Sequence, residues 1–352
     1  MQQASTQPVD SCFGLDLGDL SSNHCLVDGQ GQIVREGTVE TTREALMQLF
    51  SAVPRSRVVM EATRNTHWVR QVLKAAGHEV IVANPRQLHL ISKSLRKTDR
   101  NDARILARVG RLDLELLRPV HERSDLSMQV RLVMRSRTSL VRMRTKLINL
   151  VRGSVKVFGY RMPTCTAEHF HIKARLAMPA ELRETLTPLL DTLEGFGEKI
   201  KAYDRQIAQL CEQFPQTKVF QQVRGVGPLV SLTFLMCVED PRRFKDSRSV
   251  GVYIGLTPGS RQSGNSDPRM RITKQGDGEL RALLVTAATH IMRRSAPDTD
   301  LKRYGRRIAQ SGTPRDRGRA KIAVARKLAV LLHRLWLTGE VYEPLRSTAA
   351  AA

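Results

Sequence analysis

Phe13-Gly14-Leu15-Asp16-Leu17-Gly18 is a short apolar run that carries one carboxylate and ends at glycine. Such a run reads as a buried strand that delivers an acid to its C-terminal end. Val58-Val59-Met60-Glu61 has the same form and ends on Glu61. Two further acids, Asp99 and Asp102, lie in Lys97-Thr98-Asp99-Arg100-Asn101-Asp102-Ala103-Arg104, at the i,i+3 spacing that puts both on one side of a helix. Carboxylates at the ends of neighbouring strands, facing two more on a helix, can hold two Mg2+ (or Mn2+) ions and clamp a phosphodiester. That is nuclease and transposase chemistry.

Working outward, His24–Val27 and Ile33–Val39 flank the turn Asp28-Gly29-Gln30-Gly31, which predicts a hairpin. Thr42 to Val53 reads as a helix capped by Thr41 or Thr42 with Glu44 in its first turn. Arg57–Met60 is a strand, Thr66–Ala76 a helix stopped by Gly77, and Glu79–Ala83 a strand ended by Asn84-Pro85. From Gln87 to about Leu112 the pattern is helical and carries the acidic pair. Three hairpin-connected strands, then helix–strand–helix–strand–helix, is the order of an α/β RNase H-like (RuvC-like) domain, here spanning residues 10–120.

The bulk of the chain points to a polyanionic partner. Among 352 residues, 57 Lys and Arg face 34 Asp and Glu, a net charge of +23. Phosphate backbones reward such an excess by releasing counterions, although ribosomal and membrane-surface proteins can be equally basic. The five cysteines lack a C-x-x-C pair and read as reduced thiols. Cys165, His169 and His171 lack a fourth ligand nearby, so they read as an ordinary loop and not as zinc. The polar N-terminus and the absence of a membrane-length apolar run predict a cytoplasmic, nucleoid-associated protein without a membrane partner.

Residues 121–214 predict a basic helical coiled-coil hairpin. Val133, Ser136, Leu140, Met143, Leu147, Leu150, Ser154 and Val157 form one heptad stripe. A second runs from Leu182 through Leu186, Leu189, Leu193, Phe196, Ile200, Tyr203 and Ile207 to Leu210 and Phe214, with Thr187 and Pro188 as a candidate helix start. The stripes can pair within one chain or between subunits. No Asp or Glu lies between Leu126 and Ala167, so Arg131, Arg135, Arg142, Lys146 and Arg152 read as a phosphate-tracking face.

Residues 215–345 form a third, mostly α region. Val223-Arg224-Gly225-Val226-Gly227-Pro228 between apolar helices suits a helix-hairpin-helix, in which Gly225 and Gly227 let the backbone approach a phosphate; a tight turn between packed helices fits as well. Gly255-Leu256-Thr257-Pro258-Gly259-Ser260-Arg261-Gln262-Ser263-Gly264 is a polar loop, followed by Arg271-Ile272-Thr273-Lys274-Gln275-Gly276. An exposed serine ringed by Arg261, Arg271 and Lys274 is a reasonable nucleophile for a phosphodiester, with Ser260 and Ser266 as rivals to Ser263. Arg315 to Trp336 reads as a basic amphipathic helix.

With the Phe13–Asp16, Lys97–Ala103 and Gly255–Gly276 blocks in this order, the chain resembles the DEDD insertion-sequence transposases of the insertion sequence one-hundred-ten type, the bridge-RNA-guided recombinases. The resemblance covers roughly residues 12–340. It implies a RuvC-like domain, a coiled-coil linker and a C-terminal transposase domain at residues 215–345. Carried over by motif, Asp16, Glu61, Asp99 and Asp102 are the metal-binding acids and Ser263 the nucleophile. Further implications are donor and target DNA as substrates, a structured guide RNA, and a dimer that assembles into a homotetramer whose site combines the acids of one subunit with the serine of another. Two rivals remain: a RuvC-like nuclease or Holliday-junction resolvase that hydrolyses DNA with water, and a basic nucleic-acid-binding scaffold whose acids are structural.

Overall fold

The computed structural model describes residues 11–85, 98–263, 266, 268 and 270–346. Internal contacts divide the chain into two compact units, Met1–Glu122 and Arg123–Ala352.

The first unit is built on β1 (Cys12–Asp16), β2 (Ser21–Val27), β3 (Ile33–Glu40), β4 (Arg57–Glu61) and β5 (Glu79–Ala83), in the order β3-β2-β1-β4-β5. β1, β2 and β3 pair antiparallel, whereas β4 is parallel to both β1 and β5. The hairpin turn closes as the sequence predicts: the Asp28 carboxylate accepts from the backbone N–H of Gln30 and Gln32, each at 2.9 Å.

Alternation along the strands divides the core in two. Phe13, Leu15, Val58 and Met60 pack with Leu46 and Phe50 of α1 (Arg43–Ser51) and Val69 and Leu73 of α2 (Thr66–Ala75). Cys12 and Val59 face the opposite way, toward Ala103, Leu106 and Ala107 of α3 (Asp99–Leu112). This mixed sheet with helices on both faces is compatible with an RNase H-like α/β domain.

α3 does not extend unbroken from Gln87, because Thr98 is extended (φ −138°, ψ 142°) and its hydroxyl caps the helix by accepting from the N–H of Asn101. Residues 87–97 of that predicted helix lie outside the described residues, as do Gly264 and the Ala349–Ala352 tail. The short α4 (Leu114–Leu117) completes the unit.

The second unit is helical: α5 (Asp125–Val157), α6 (Phe170–Ala177), α7 (Ala180–Gln213), α8 (Pro215–Gln221), α9 (Pro228–Val238), α10 (Ser249–Tyr253), α11 (Gly278–Ile291), α12 (Asp300–Ile308) and α13 (Pro314–Thr338). α5 and α7 pack antiparallel within the chain. Val130 and Met134 share one cluster with Ile207 and Cys211, while Ile148, Val151 and Val155 share another with Leu182, Leu186, Leu190 and Leu193.

The α5 stripe is therefore displaced from the heptad read in the sequence. Met143, Leu150 and Val157 are 52%, 53% and 82% exposed. A straight α-helix drifts about 20° per heptad, so a strict seven-residue count leaves the buried face of a 33-residue helix.

Two further expectations are corrected here. Pro188 lies inside α7 and does not start it, and the Thr187 hydroxyl donates to the Arg183 carbonyl at 2.6 Å. His171, read as part of a loop, belongs to α6, which forms because Phe170 and Ala174 bury into the same cluster. Among the described residues no helix is long and apolar enough to cross a membrane.

Candidate functional site

The acid corner is set by register. Leu15 pairs with Met60 across β1 and β4, so the next residues, Asp16 and Glu61, end adjacent parallel strands. Both follow Gly14 and Val59 at period two and lie on the α3 side of the sheet. α3 crosses β1 closely enough to require glycine: a Cβ on Gly14 would overlap the Ala103 carbonyl and lie 2.5 Å from the Ala107 nitrogen. At the other end of the same contact, a Cβ on Gly110 would meet Val59 and lie 3.0 Å from the Cys12 sulfur.

Ala103 thus sits over Gly14 and Gly110 over Cys12, so α3 runs antiparallel to β1. Its first turn, with Asp99 and Asp102, points to the end of the sheet where Asp16 and Glu61 emerge. Asp99 is exposed; the other three are partly buried.

The corner is braced from two sides. Glu36 on β3 accepts from Arg104 at 2.8 and 3.0 Å and also pairs with Arg100, which anchors the first turns of α3. Asn65 donates to the Gly18 carbonyl at 3.4 Å and joins the loops that follow β1 and β4. Sequence reading missed both residues; Glu36 sits opposite Cys25 in a strand pairing that only the register reveals.

Among the described residues no three His, Cys, Asp or Glu side chains gather closely enough to hold a metal ion. Carboxylates turned toward the same end of the sheet are nonetheless hard oxygen donors of the kind that suits Mg2+ or Mn2+.

In the second unit Ser263 lies at the tip of a hairpin. Its stem is joined by bonds from Lys274 N to Gly255 O (3.2 Å), Thr273 N to Thr257 O (2.9 Å) and Gly259 N to Arg271 O (3.0 Å). Ser263 and its rival Ser266 exchange backbone hydrogen bonds of 3.1 and 3.0 Å across the tip. The two motif glycines have a steric reason: at φ +75° and +81°, Cβ atoms on Gly255 and Gly276 would collide with the carbonyls of Gln275 and Tyr253. Lys274 is left-handed at φ +55° despite its side chain. Arg281 closes the base by donating to the Ile254 and Gln275 carbonyls at 2.8 and 3.3 Å. Arg261, Arg271 and Lys274 are all exposed around this hairpin.

Directly after the stem, Asp277 caps α11 by accepting from the N–H of Glu279 and Leu280 at 3.0 and 2.9 Å. Burial alone would raise its carboxyl; the Arg131 charge and the Leu280 N–H outweigh that and hold it at about 2.

Arg131 is therefore not available as a phosphate contact: it is buried against Asp277 and Cys237. The basic run on α5 is also less unbalanced than its sequence suggests, because Arg135 lies 3.8 Å from Glu279 and Arg137 2.5 Å from Asp204. The balancing acids come from other elements. Arg135, Arg142, Lys146 and Arg152 remain exposed.

Gly225 (φ +89°) packs on α11, where a Cβ would lie 3.0 Å from the Ala287 carbonyl. Gly227 has open space and caps α9.

Comparisons with known proteins agree along most of the length. The DEDD transposase family model of the IS110 type matches residues 13–158, and the model described as "Transposase IS116/IS110/IS902 family" matches residues 217–304. The chain is similar to the transposase for insertion sequence element IS1111A of Coxiella burnetii, at 27% identity over 94% of this chain and 90% of that protein. It is similar to a probable family 20 transposase of Pseudomonas aeruginosa, at 28% identity over 95% and 99% of the two chains. The transposase for IS1328 of Yersinia enterocolitica is 27% identical over 82% of this chain and 85% of its own.

Proposed function

From the premise that this chain belongs to the IS110 family of insertion-sequence transposases, and is a DNA transposase/recombinase, we propose that it cuts and rejoins donor and target strands through a covalent phosphoserine at Ser263. One observation supports this reading above others: strand register and the α3 crossing at Gly14 turn four acids toward the same end of the sheet, while a glycine-locked hairpin exposes a serine among cations.

Asp16, Glu61, Asp99 and Asp102 would hold Mg2+ or Mn2+, supported by their oxygen donors and common end of the sheet. When bound, such cations lower the pKa of an attacking hydroxyl and neutralise charge on the scissile phosphate. Ser263 Oγ attacks phosphorus; the Oγ–P bond forms, the P–O3′ bond breaks, and the serine proton ends on the departing 3′ oxygen. The 3′-OH of the exchanged strand then attacks the same phosphorus, releases Ser263 and returns the proton to it. Neither water nor ATP is consumed. Arg261, Arg271 and Lys274 stabilise charge on the pentavalent phosphorus.

In this reading residues 10–120 act as a RuvC-like domain, 121–214 as a coiled-coil linker and 215–345 as a transposase domain with a helix-hairpin-helix at Gly225 and Gly227. The serine acts with the acids of a neighbouring subunit in a homotetramer, and a structured guide RNA selects the two DNA sequences. Exposed Met143, Leu150 and Val157, at heptad spacing on α5, are what an inter-subunit coiled coil would bury.

A strand-transfer assay with end-labelled DNA tests the chemistry. Ser263→Ala should abolish the protein–DNA adduct while DNA binding persists, and Asp102→Asn should abolish cleavage. Recombination by Ser263→Ala would overturn the serine assignment. Cutting by Ser263→Ala that leaves only hydrolysed ends would identify a RuvC-like nuclease or resolvase instead.

A further inference from the structure

The basic helix near the C-terminus has no part in the chemistry above, and it packs against α12, which is also rich in cations. The two helices approach closely at Gly305, where a Cβ would lie 2.8 Å from Val324 and 3.0 Å from the Met292 sulfur. Across that junction Tyr304 gathers two cations: Lys327 Nζ lies 4.3 Å and the Arg307 guanidinium 6.0 Å from the ring centroid. Arg315 and Arg317 are exposed on the first turns of α13. None of these four cations pairs with a carboxylate among the described residues, although Arg303, Arg306 and Arg319 nearby do find acids. The nearby acids Asp298 and Asp316 are taken up by those three arginines, which leaves these four cations open to an outside partner.

The surface also has a direction. Arg326 lies on the same helix with its stem packed over Gly251, where a Cβ would meet the Arg326 Cγ at 2.9 Å and Thr257 Cγ2 at 3.9 Å. Thr257 belongs to the foot of the serine hairpin. Cations therefore lie along α13 from Arg326, beside the foot of the hairpin, and Lys327, at the α12 junction, back to Arg317 and Arg315 in its first turns. Gly318, an exposed helix-interior glycine with nothing within 4 Å of its absent Cβ, leaves room for a backbone to approach between Arg317 and Arg319.

We propose that α12 and the first four turns of α13 form a track for the phosphate backbone of the DNA duplex flanking the strand cut at Ser263. Duplex DNA is the occupant because the track begins beside the hairpin, so a strand engaged there is carried onto it; this choice rests on the strand-transfer reading. The binding is electrostatic and indifferent to sequence.

Salt dependence tests it. With the full-length protein and a duplex carrying the cleavage site, the triple variant Arg307→Gln/Arg315→Gln/Arg317→Gln should lower the slope of log affinity against log salt by about 3. A charge-matched control, Lys199→Gln/Lys201→Gln/Arg205→Gln on the exposed face of α7, should lower it by less than about 1. Gly318→Glu should melt no lower than the parent, since glutamate suits a helix better than glycine, and yet bind duplex severalfold more weakly. An unchanged slope, an equal fall in the control, or a fall seen with a folded RNA but not with the duplex would each overturn the track. Adduct yield of the unsubstituted protein is read in parallel: its absence would strike the serine assignment and leave the slope result standing.

Discussion

Arg131 of α5 and Asp277, the N-cap of α11, form an ion pair whose side chains are only 3% and 7% exposed. The pair joins a helix of the long hairpin to the residue that follows the serine loop. Arg123 adds a second charge at 3.5 Å, and Thr138, two turns along α5, donates to Glu279 at 3.0 Å. The stem that presents Ser263 is thereby fixed at its base by charges from a distant helix.

Removing one partner should hurt more than removing both. Asp277→Asn leaves a buried guanidinium without its counter-charge and should cost about 3–5 kcal/mol in urea unfolding. Arg131→Met combined with Asp277→Asn should cost less than Asp277→Asn alone. The carboxyl is held at about 2 against an ordinary 3.8, so its contribution is complete above pH 3.8 and is lost as pH falls toward 2. The stability gap between parent and Asp277→Asn should therefore be flat near neutrality and narrow in acid; a gap that widens in acid would refute the pairing.

Gly14→Ala inserts a methyl group where the Ala103 carbonyl sits and must push α3 from the sheet. Overpacking of this kind costs about 1–3 kcal/mol. The larger effect should be functional, because the shift separates Asp99 and Asp102 from Asp16 and Glu61. Loss of metal-dependent cleavage in a variant that still unfolds cooperatively is the expected result.

Lys274 and its glycine neighbours should respond in opposite directions. Lys274→Gly removes a left-handed strain of about 1 kcal/mol and should raise the melting temperature, while strand transfer falls for want of the cation. Gly255→Ala and Gly276→Ala should lower both, since each new Cβ meets a carbonyl. Calorimetry alongside the strand-transfer assay separates the two patterns.

His24 gives the first unit an acid sensitivity. Burial first, and Arg35 second, lower its pKa below the usual 6.5. The folded state refuses a proton that the unfolded chain accepts, so stability is complete above pH 6.5 and declines as pH falls below it. His24→Leu should flatten that decline in thermal melts between pH 7 and 5.

Much of the site was legible locally. A strand that ends on an acid, the i,i+3 pair Asp99 and Asp102 on one helix, and glycines in the 255–276 loop are short-range patterns, and each appears as an element with those residues in place. Periodicity failed where distance accumulates: on α5 it selected Met143, Leu150 and Val157 instead of Val130, Met134, Ile148, Val151 and Val155. Charge counting failed for a similar reason, because the acid that neutralises Arg131 lies 146 residues away.

By itself, then, the amino-acid order determined which residues share a strand or a helix face, since side-chain direction follows from backbone periods of two and 3.6 residues. It also settled the excess positive charge. Tertiary structure alone decided which face of each long helix is buried, which arginine is a structural ion and which meets solvent, and that Gly14 lets α3 lie close enough to direct two acids toward two others. Those outcomes depend on close packing and pairing between segments remote in the chain, and no local pattern encodes the partner.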